Sequence, residues 1–155
     1  MARRLAPYGI YGAGGRDVVA QEAPVQGSIA LGDISPHDLG IEGERIAVQY
    51  LERRGYEILE RNWYCPSGEA DIIALDDGVH VLVEVKSRLQ LPGDEDPVPE
   101  DAVGEAKRGR YRGIARYYLA ATEARDIRFD VIAVSFDTRG AYQVRHIENA
   151  FGGDE

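Results

Sequence analysis

Three residues with chemically useful side chains lie close together in the sequence. Asp71 is in one apolar segment, and Glu84 and Lys86 are in the next. Carboxylates are ligands that hard divalent ions prefer, which favours Mg²⁺, Mn²⁺ or Ca²⁺ over zinc. A bound divalent ion lowers the pKa of a water and stabilises negative charge, and a lysine adds a fixed positive charge. These three residue types are therefore typical of phosphodiester hydrolysis.

A predicted β-hairpin brings these residues onto one face of a sheet. The Asp-Gly pair at 77–78 is the strongest short signal for a two-residue hairpin turn. In that register Asp71 faces Glu84 and Glu69 faces Lys86, and all four side chains share a face because strand residues alternate. Opposed like charges are destabilising, so the Asp71–Glu84 pair indicates either a protonated carboxyl or a bound cation. The alternative is that Glu69 and Lys86 form an ordinary ion pair on a solvated face.

Side chains of two predicted helices can reach the same face. Glu44 flanks the apolar side of the first helix, where it is either a third carboxylate ligand or a rim charge. Lys107 and Arg110 share the apolar stripe of the second helix, so they need an anionic partner, which is either the acidic cluster or a phosphate. The most basic stretch is predicted to contact nucleic acid, with a solvated helix face as the alternative; it comprises Lys107, Arg108, Arg110, Arg112 and Arg116.

Periodicity and turn signals predict the elements that hold these residues. Ser35 caps a first helix that begins with Pro36 and ends before Gly55. Strands are predicted over 56–63, 69–75 and 79–86, a second helix over 101–122, and strands over 128–136 and 141–147. The buried stripe of the second helix is predicted to hold Val103, Ile114, Tyr117, Tyr118 and Ala121. Asp130, inside an apolar strand, is expected to pair with Arg128 or a loop amide.

The order of these elements is αβββαββ. The long connection through the second helix implies a parallel crossover between the strands on either side of it. We therefore expect an α/β fold in which a mixed five-stranded sheet is flanked by two main helices.

Composition limits the class of protein. The 155 residues suit one domain, which is predicted over 35–151, between a Gly-rich, disordered N-terminal tail at 1–34 and a C-terminal tail at 152–155. A net charge of −9 disfavours a protein that coats nucleic acid through bulk positive charge. The single cysteine, Cys65, excludes a disulfide framework. No segment approaches the roughly 20 apolar residues of a membrane span, so we expect a cytoplasmic protein without a membrane partner.

Several segments, taken in order from about Leu39 to Phe151, resemble the YraN family. They include Gly43-Glu44, Arg61-Asn62-Trp63, Gly68-Glu69-Ala70-Asp71-Ile72-Ile73-Ala74, Val83-Glu84-Val85-Lys86-Ser87-Arg88, Lys107, Arg128-Phe129-Asp130-Val131 and Asn149-Ala150-Phe151. That family is similar to the PD-(D/E)XK nuclease superfamily, close to archaeal Holliday-junction resolvases. One departure is Ala70, which stands where the superfamily pattern nominally has proline.

The resemblance implies a restriction-endonuclease-like core and an Mg²⁺- or Mn²⁺-dependent nuclease that acts on DNA, including branched DNA. It implies that Asp71 and Glu84 are metal ligands and that Lys86 is the catalytic lysine. Glu44 matches a first-helix glutamate of resolvase-like members, and Lys107 matches a second-helix basic residue. Glu69 belongs to the family motif as an accessory residue.

Two other functions stay open. The net charge of −9 favours either a non-catalytic module that keeps the nuclease fold and binds nucleic acid or protein, or an enzyme with a narrow substrate. A structural partner in a larger complex is the third reading, and a homodimer is also left open. The intact set of Asp71, Glu84 and Lys86 favours the nuclease.

Overall fold

The computed structural model of the protein describes residues 16–17, 26–28, 30–94 and 105–150. Its helices are α1 (Pro36–Arg53) and α2 (Glu105–Ala121). Its long strands are β3 (Glu57–Cys65), β4 (Gly68–Asp76), β5 (Val79–Leu89), β6 (Ile127–Phe136) and β7 (Ala141–Glu148), and two short strands precede them, β1 (Arg16–Asp17) and β2 (Gln26–Ser28). The predicted α/β fold, with the order αβββαββ and five main strands, is confirmed.

The strands form one mixed sheet in the order β1-β7-β6-β5-β4-β3, and β2 also pairs with β7. Strands β5 and β6 are parallel, as the crossover through α2 predicts. The short strands β1 and β2, which pair with β7, lie in the segment that was predicted to be a disordered N-terminal tail. The rest of 1–29 and the predicted tail at 152–155 lie outside the described residues, and the boundary at residue 35 stays a prediction.

The two helices cover opposite faces of the sheet. Successive residues of a strand point to opposite sides, so Ile72 and Val83 pack in the core under α1, whereas Ile73 and Leu82 pack in the core under α2. The even-numbered residues of β5, which include Glu84, therefore lie on the α2 side. Neither described helix has the length and apolar character needed to span a bilayer.

The buried stripe of α2 differs from the predicted one. Tyr111, Ile114 and Tyr118 are buried, whereas Tyr117 is 45% exposed. Ala121 is exposed as well, and Val103 lies outside the described residues. The reason is a tertiary contact: the Tyr118 hydroxyl lies 2.7 Å from Nδ1 of His80, and its ring packs edge-on against Trp63. These contacts hold Tyr118 on the buried side of α2, and that side includes Tyr111 rather than Tyr117.

The predicted ends of α1 are confirmed. The backbone N–H of Asp38 donates to Oγ of Ser35 at 3.1 Å, which satisfies one donor of the first turn. Gly55 ends the helix with a φ of 87°, a conformation that glycine adopts without strain. The helix therefore has a fixed start and a fixed end, which hold Glu44 at a defined height over the sheet.

Gly43 lets α1 approach β5 closely. A Cβ at Gly43 would overlap Oγ of Ser87 and lie 2.9 Å from its Cβ, whereas nothing lies within 4 Å of a Cβ at Gly40. Gly43→Ala should therefore lower the free energy of unfolding by about 1–3 kcal/mol, the usual cost of overpacking. Gly40→Ala, on the same helix, should raise it by about 0.5–1 kcal/mol. Urea unfolding of both variants checks this. An equal increase in the free energy of unfolding for both variants would contradict the close approach of α1 to β5.

Candidate functional site

A hairpin turn fixes the relative position of the two acidic strands. Asp77 and Gly78 have φ values of 50° and 83°, as a two-residue turn with two left-handed residues requires. Strands β4 and β5 pair from Asp76–Val79 to Ile72–Val83. The predicted register is thus confirmed over this stretch, and the acidic residues come immediately after it.

The two strands stop pairing where the acidic residues begin. In a continued ladder the N–H of Val85 would bond to the carbonyl of Ala70, but it donates to Oδ2 of Asp71 at 2.8 Å. The expected face-to-face pairs of Asp71 with Glu84 and of Glu69 with Lys86 are therefore not rungs of the described ladder. The Asp71 carboxylate replaces a main-chain acceptor on the side of β5 that faces β4.

Asp71 is a poor place for a negative charge. Burial raises the pKa of its carboxyl to about 6, and the hydrogen bond from Val85 opposes that shift. The negative charges of Glu44, Glu84 and Glu69 contribute to the same raised pKa, in that order of size. A proton or a bound cation would remove the unfavourable negative charge of this carboxyl. These are the two alternatives that the hairpin register indicated.

Glu84 is buried, and three basic side chains form ion pairs with one of its carboxylate oxygens. Its side chain is 8% exposed, and Oε1 lies 3.3 Å from Nζ of Lys86, 3.4 Å from Nζ of Lys107 and 3.6 Å from Nη2 of Arg110. Its other oxygen, Oε2, is buried and has no hydrogen-bond partner in the part of the chain that the structure describes. A buried polar atom without a partner is costly, so Oε2 fits a ligand that the protein does not itself supply.

The residues fit a hard divalent ion with few protein ligands. Mg²⁺ is commonly held by one or two carboxylates, with waters and substrate phosphates completing the octahedron. Asp71 and Glu84 supply such a pair. Among the described residues no group of three or more His, Cys, Asp or Glu side chains could hold a metal ion together. Glu44 is therefore not gathered into a three-carboxylate site, and its role as a metal ligand stays a prediction.

The α1 side of this site is acidic, in contrast to its α2 side. Burial raises the pKa of Glu44; the charge of Arg61 opposes this shift and the charge of Glu69 adds to it. Glu69 is the cross-strand partner of Tyr64 at the outer edge of the sheet, and its charge also reaches Asp71. The site is thus polarised, with Glu44 on the α1 side and the cations around Glu84 on the α2 side.

The predicted nucleic-acid surface on α2 divides into two parts. Lys107 and Arg110 reach Glu84 and belong to the site itself. Arg112 and Arg116 are exposed, and Arg108 is half-buried. Positive charge therefore begins next to Glu84, at Lys107 and Arg110, and continues along the exposed side of α2.

A second polar cluster, which we call the Asp130 network, was largely missed by sequence reasoning. Asp130 accepts from Nε and Nη2 of Arg128 at 2.8 and 2.9 Å and from the backbone N–H of Asn149 at 3.0 Å. Both predicted partners, Arg128 and a loop amide, are confirmed. The partner that was missed is His146, whose Nε2 lies 2.7 Å from Oδ2 of Asp130. Burial alone would raise the pKa of Asp130, but His146 and Arg128 lower it to about 2.

The Asp130 network extends to α1 and to the end of β7. Nη2 of Arg128 donates to the hydroxyl of Tyr56 at 2.7 Å, and that hydroxyl donates to Glu148 at 3.3 Å. The hydroxyl of Tyr50 lies 3.2 Å from Nδ1 of His146. Polar residues inside apolar strands were the available signal, and only the fold shows that they meet.

Comparison with known proteins gives a consistent family match. The sequence model of "Uncharacterised protein family UPF0102" matches residues 43–134, which include the whole site from Glu44 to Arg110. The UPF0102 protein of Beutenbergia cavernae is 42% identical over 70% of this chain and 92% of its own length. That of Thermodesulfovibrio yellowstonii is 42% identical over 74% of this chain and 96% of its own length.

A solved structure shows only a weak likeness. The structure of Pyrococcus furiosus SfsA in complex with Ca²⁺ aligns at 13% identity and a TM-score of 0.32, over 74% of this chain and 64% of that chain. A score this low carries no argument about function.

Proposed function

This chain belongs to the UPF0102 family, and we propose that it is a divalent-metal-dependent nuclease that hydrolyses phosphodiester bonds in DNA. One observation carries the proposal. Glu84 is a buried carboxylate with an unpartnered oxygen, and it stands beside a second buried carboxyl, Asp71, whose pKa is raised to about 6. Such a pair favours a hard cation.

Each residue of the site has a role that suits this reaction. Asp71 and Glu84 would hold Mg²⁺ or Mn²⁺. When bound, the ion supplies an activated water and stabilises charge on the phosphorus oxygens. Lys86, 3.3 Å from Glu84 and 42% exposed, keeps a positive charge at the point where the phosphate would enter. Lys107 and the exposed arginines of α2 provide contacts for the flanking phosphates.

The fold and the motif positions support the same proposal. An α/β core of order αβββαββ, with Asp71 on the second long strand and Glu84 and Lys86 on the third, is similar to the restriction-endonuclease-like core of PD-(D/E)XK nucleases. On that basis we propose a cytoplasmic enzyme whose substrates include branched DNA.

A non-catalytic nucleic-acid-binding module is the second candidate. The observation that favours it is that three basic side chains of the protein itself surround Glu84, and the net charge is −9. In this case the same fold would bind nucleic acid through α2 and cut nothing.

A cleavage assay distinguishes the two candidates. The full chain is incubated with linear, flapped and four-way DNA in Mn²⁺, Mg²⁺ or EDTA, beside Glu84→Gln and the exposed control Glu123→Gln. We expect cleavage only with metal, and only by the wild type and Glu123→Gln. Binding of DNA without cleavage under all conditions would contradict the nuclease and support the module. Cleavage by Glu84→Gln at the wild-type rate would show that the activity does not come from the proposed site.

A further inference from the structure

The basic side chains around Glu84 outnumber the acceptor sites that they share. A carboxylate oxygen offers about two lone-pair directions, yet three cationic groups approach Oε1. Their distances of 3.3–3.6 Å exceed the roughly 2.7–2.9 Å of a good charge-assisted hydrogen bond. Within the part of the chain that the structure describes, these contacts to Glu84 are the anionic contacts of the three groups, so each would gain from a stronger anionic acceptor.

Arg110 is held so that it can change partners. Its Cδ and Cγ would lie 3.2 and 3.3 Å from a Cβ at Gly68, so the missing side chain of that glycine leaves room for the arginine. Its guanidinium lies over the ring of Tyr111, 5.4 Å from the centroid, and its side chain is 45% exposed. The guanidinium therefore contacts both the buried carboxylate and solvent, and a short movement would carry it to a bound phosphate.

A cation on Glu84 and the basic side chains compete for the same carboxylate. Placing a divalent charge beside Asp71 and Glu84 repels Lys107 and Arg110 and weakens the carboxylate as their acceptor. Phosphate oxygens are the acceptors for which a guanidinium fork is suited. A phosphate that arrives without the metal must instead displace Glu84 from both groups.

We propose that Glu84 is a switch between two ligands: a divalent ion on Asp71 and Glu84 releases Lys107 and Arg110 to bind a DNA phosphate. Metal and DNA therefore bind with positive coupling, which is reciprocal because it is a difference of binding free energies. This inference rests on the proposed nuclease function and adds to it a fixed relation between metal binding and substrate binding.

The coupling is measured with a labelled flapped DNA and the full chain, in EDTA and in Ca²⁺, with electrophoresis confirming that the DNA stays intact. We expect Ca²⁺ to tighten binding by the wild type about tenfold, within the usual range of coupling between sites. Arg110→Ala should reduce this ratio to about twofold, the part that arises from simple charge neutralisation. The matched control Arg112→Ala, on the same helix, should weaken binding in both media and keep the ratio. Glu84→Gln should bind DNA in EDTA more tightly than the wild type does, and Ca²⁺ should add little.

Equal ratios for Arg110→Ala and Arg112→Ala would overturn the switch, and so would a Glu84→Gln affinity in EDTA no higher than that of the wild type. Neither result would contradict the proposed function if the wild type still cleaves DNA with metal. Absence of metal-dependent cleavage, together with an unchanged coupling pattern, would overturn the nuclease and leave the switch as a property of a binding module.

Discussion

Asp71→Asn is expected to abolish metal-dependent cleavage and, at the same time, to make the metal-free protein more stable above pH 6. The loss of cleavage follows because a neutral amide is a poor ligand for a hard cation. Removing one group that stabilises transition-state charge typically lowers kcat by about 10²–10³-fold, and a ligand that also holds the metal should exceed that. The measurements are cleavage rates and thermal unfolding in EDTA, Mg²⁺ and Mn²⁺.

The gain in stability depends on pH in a direction that the raised pKa fixes. An unfolded aspartate ionises near its ordinary value of 3.8, but folded Asp71 does so near 6. As pH rises from about 4 to about 6, the unfolded chain releases this proton before the folded protein does, so the wild type loses stability. Asparagine has no such proton. The difference between Asp71→Asn and the wild type should therefore be largest above pH 6 and vanish below about pH 4.

Metal should stabilise the wild type but not this variant. A ligand at about 100 times its Kd raises the free energy of unfolding by about 2.7 kcal/mol, which for a domain of this size raises Tm by several degrees. Lys86→Ala should keep that rise and lose cleavage, because the lysine acts on the reacting phosphate rather than on the metal. Asp126→Asn, an exposed carboxylate before β6, is the control. An equal metal-induced rise in the wild type and in Asp71→Asn would place the ion elsewhere.

Asp130→Asn is expected to cause the largest loss of stability of any single conservative change. It removes the charge that faces the fully buried guanidinium of Arg128, at 2.8 Å, and it offers His146 an amide in place of a carboxylate. Removing one partner of a buried ion pair typically costs about 3–5 kcal/mol, and Asp76, 3.1 Å from Nη1 of Arg128, is an acidic partner that the guanidinium keeps. Urea unfolding at neutral pH measures the loss, and Asp126→Asn again serves as the control.

A double-mutant cycle separates the pair from its surroundings. Arg128→Met together with Asp130→Asn should lose less stability than the two single variants added together, because the double variant removes both charges of this pair instead of leaving one to face a neutral side chain. The pKa of Asp130, about 2, lies below its ordinary value. Its stabilising effect is therefore present above about pH 4 and is lost as pH falls toward 2, opposite in sign to the effect of Asp71. Additive losses would show that Arg128 and Asp130 act independently.

The sequence by itself determined the local parts of this protein. Ser35, Gly55 and the Asp-Gly turn at 77–78 set the ends of α1 and the β4–β5 register, because caps and turns depend on a few neighbouring residues and on allowed φ values. The order of the elements followed from periodicity, and the parallel pairing of β5 with β6 followed from the length of their connection. These local rules were enough to predict that Asp71 lies close to Glu84.

The tertiary structure decided which distant residues meet. Periodicity placed Tyr117 in the core, whereas the packing of α2 on the sheet buries Tyr111 and leaves Tyr117 exposed. The same packing brings Lys107 and Arg110 to Glu84. The end of the ladder at Ile72 and the Asp130 network also depend on long-range packing, since burial sets both the pKa values and the need for partners. A side chain's spacing along the chain fixes its face on its own element, but only packing between elements fixes what that face touches.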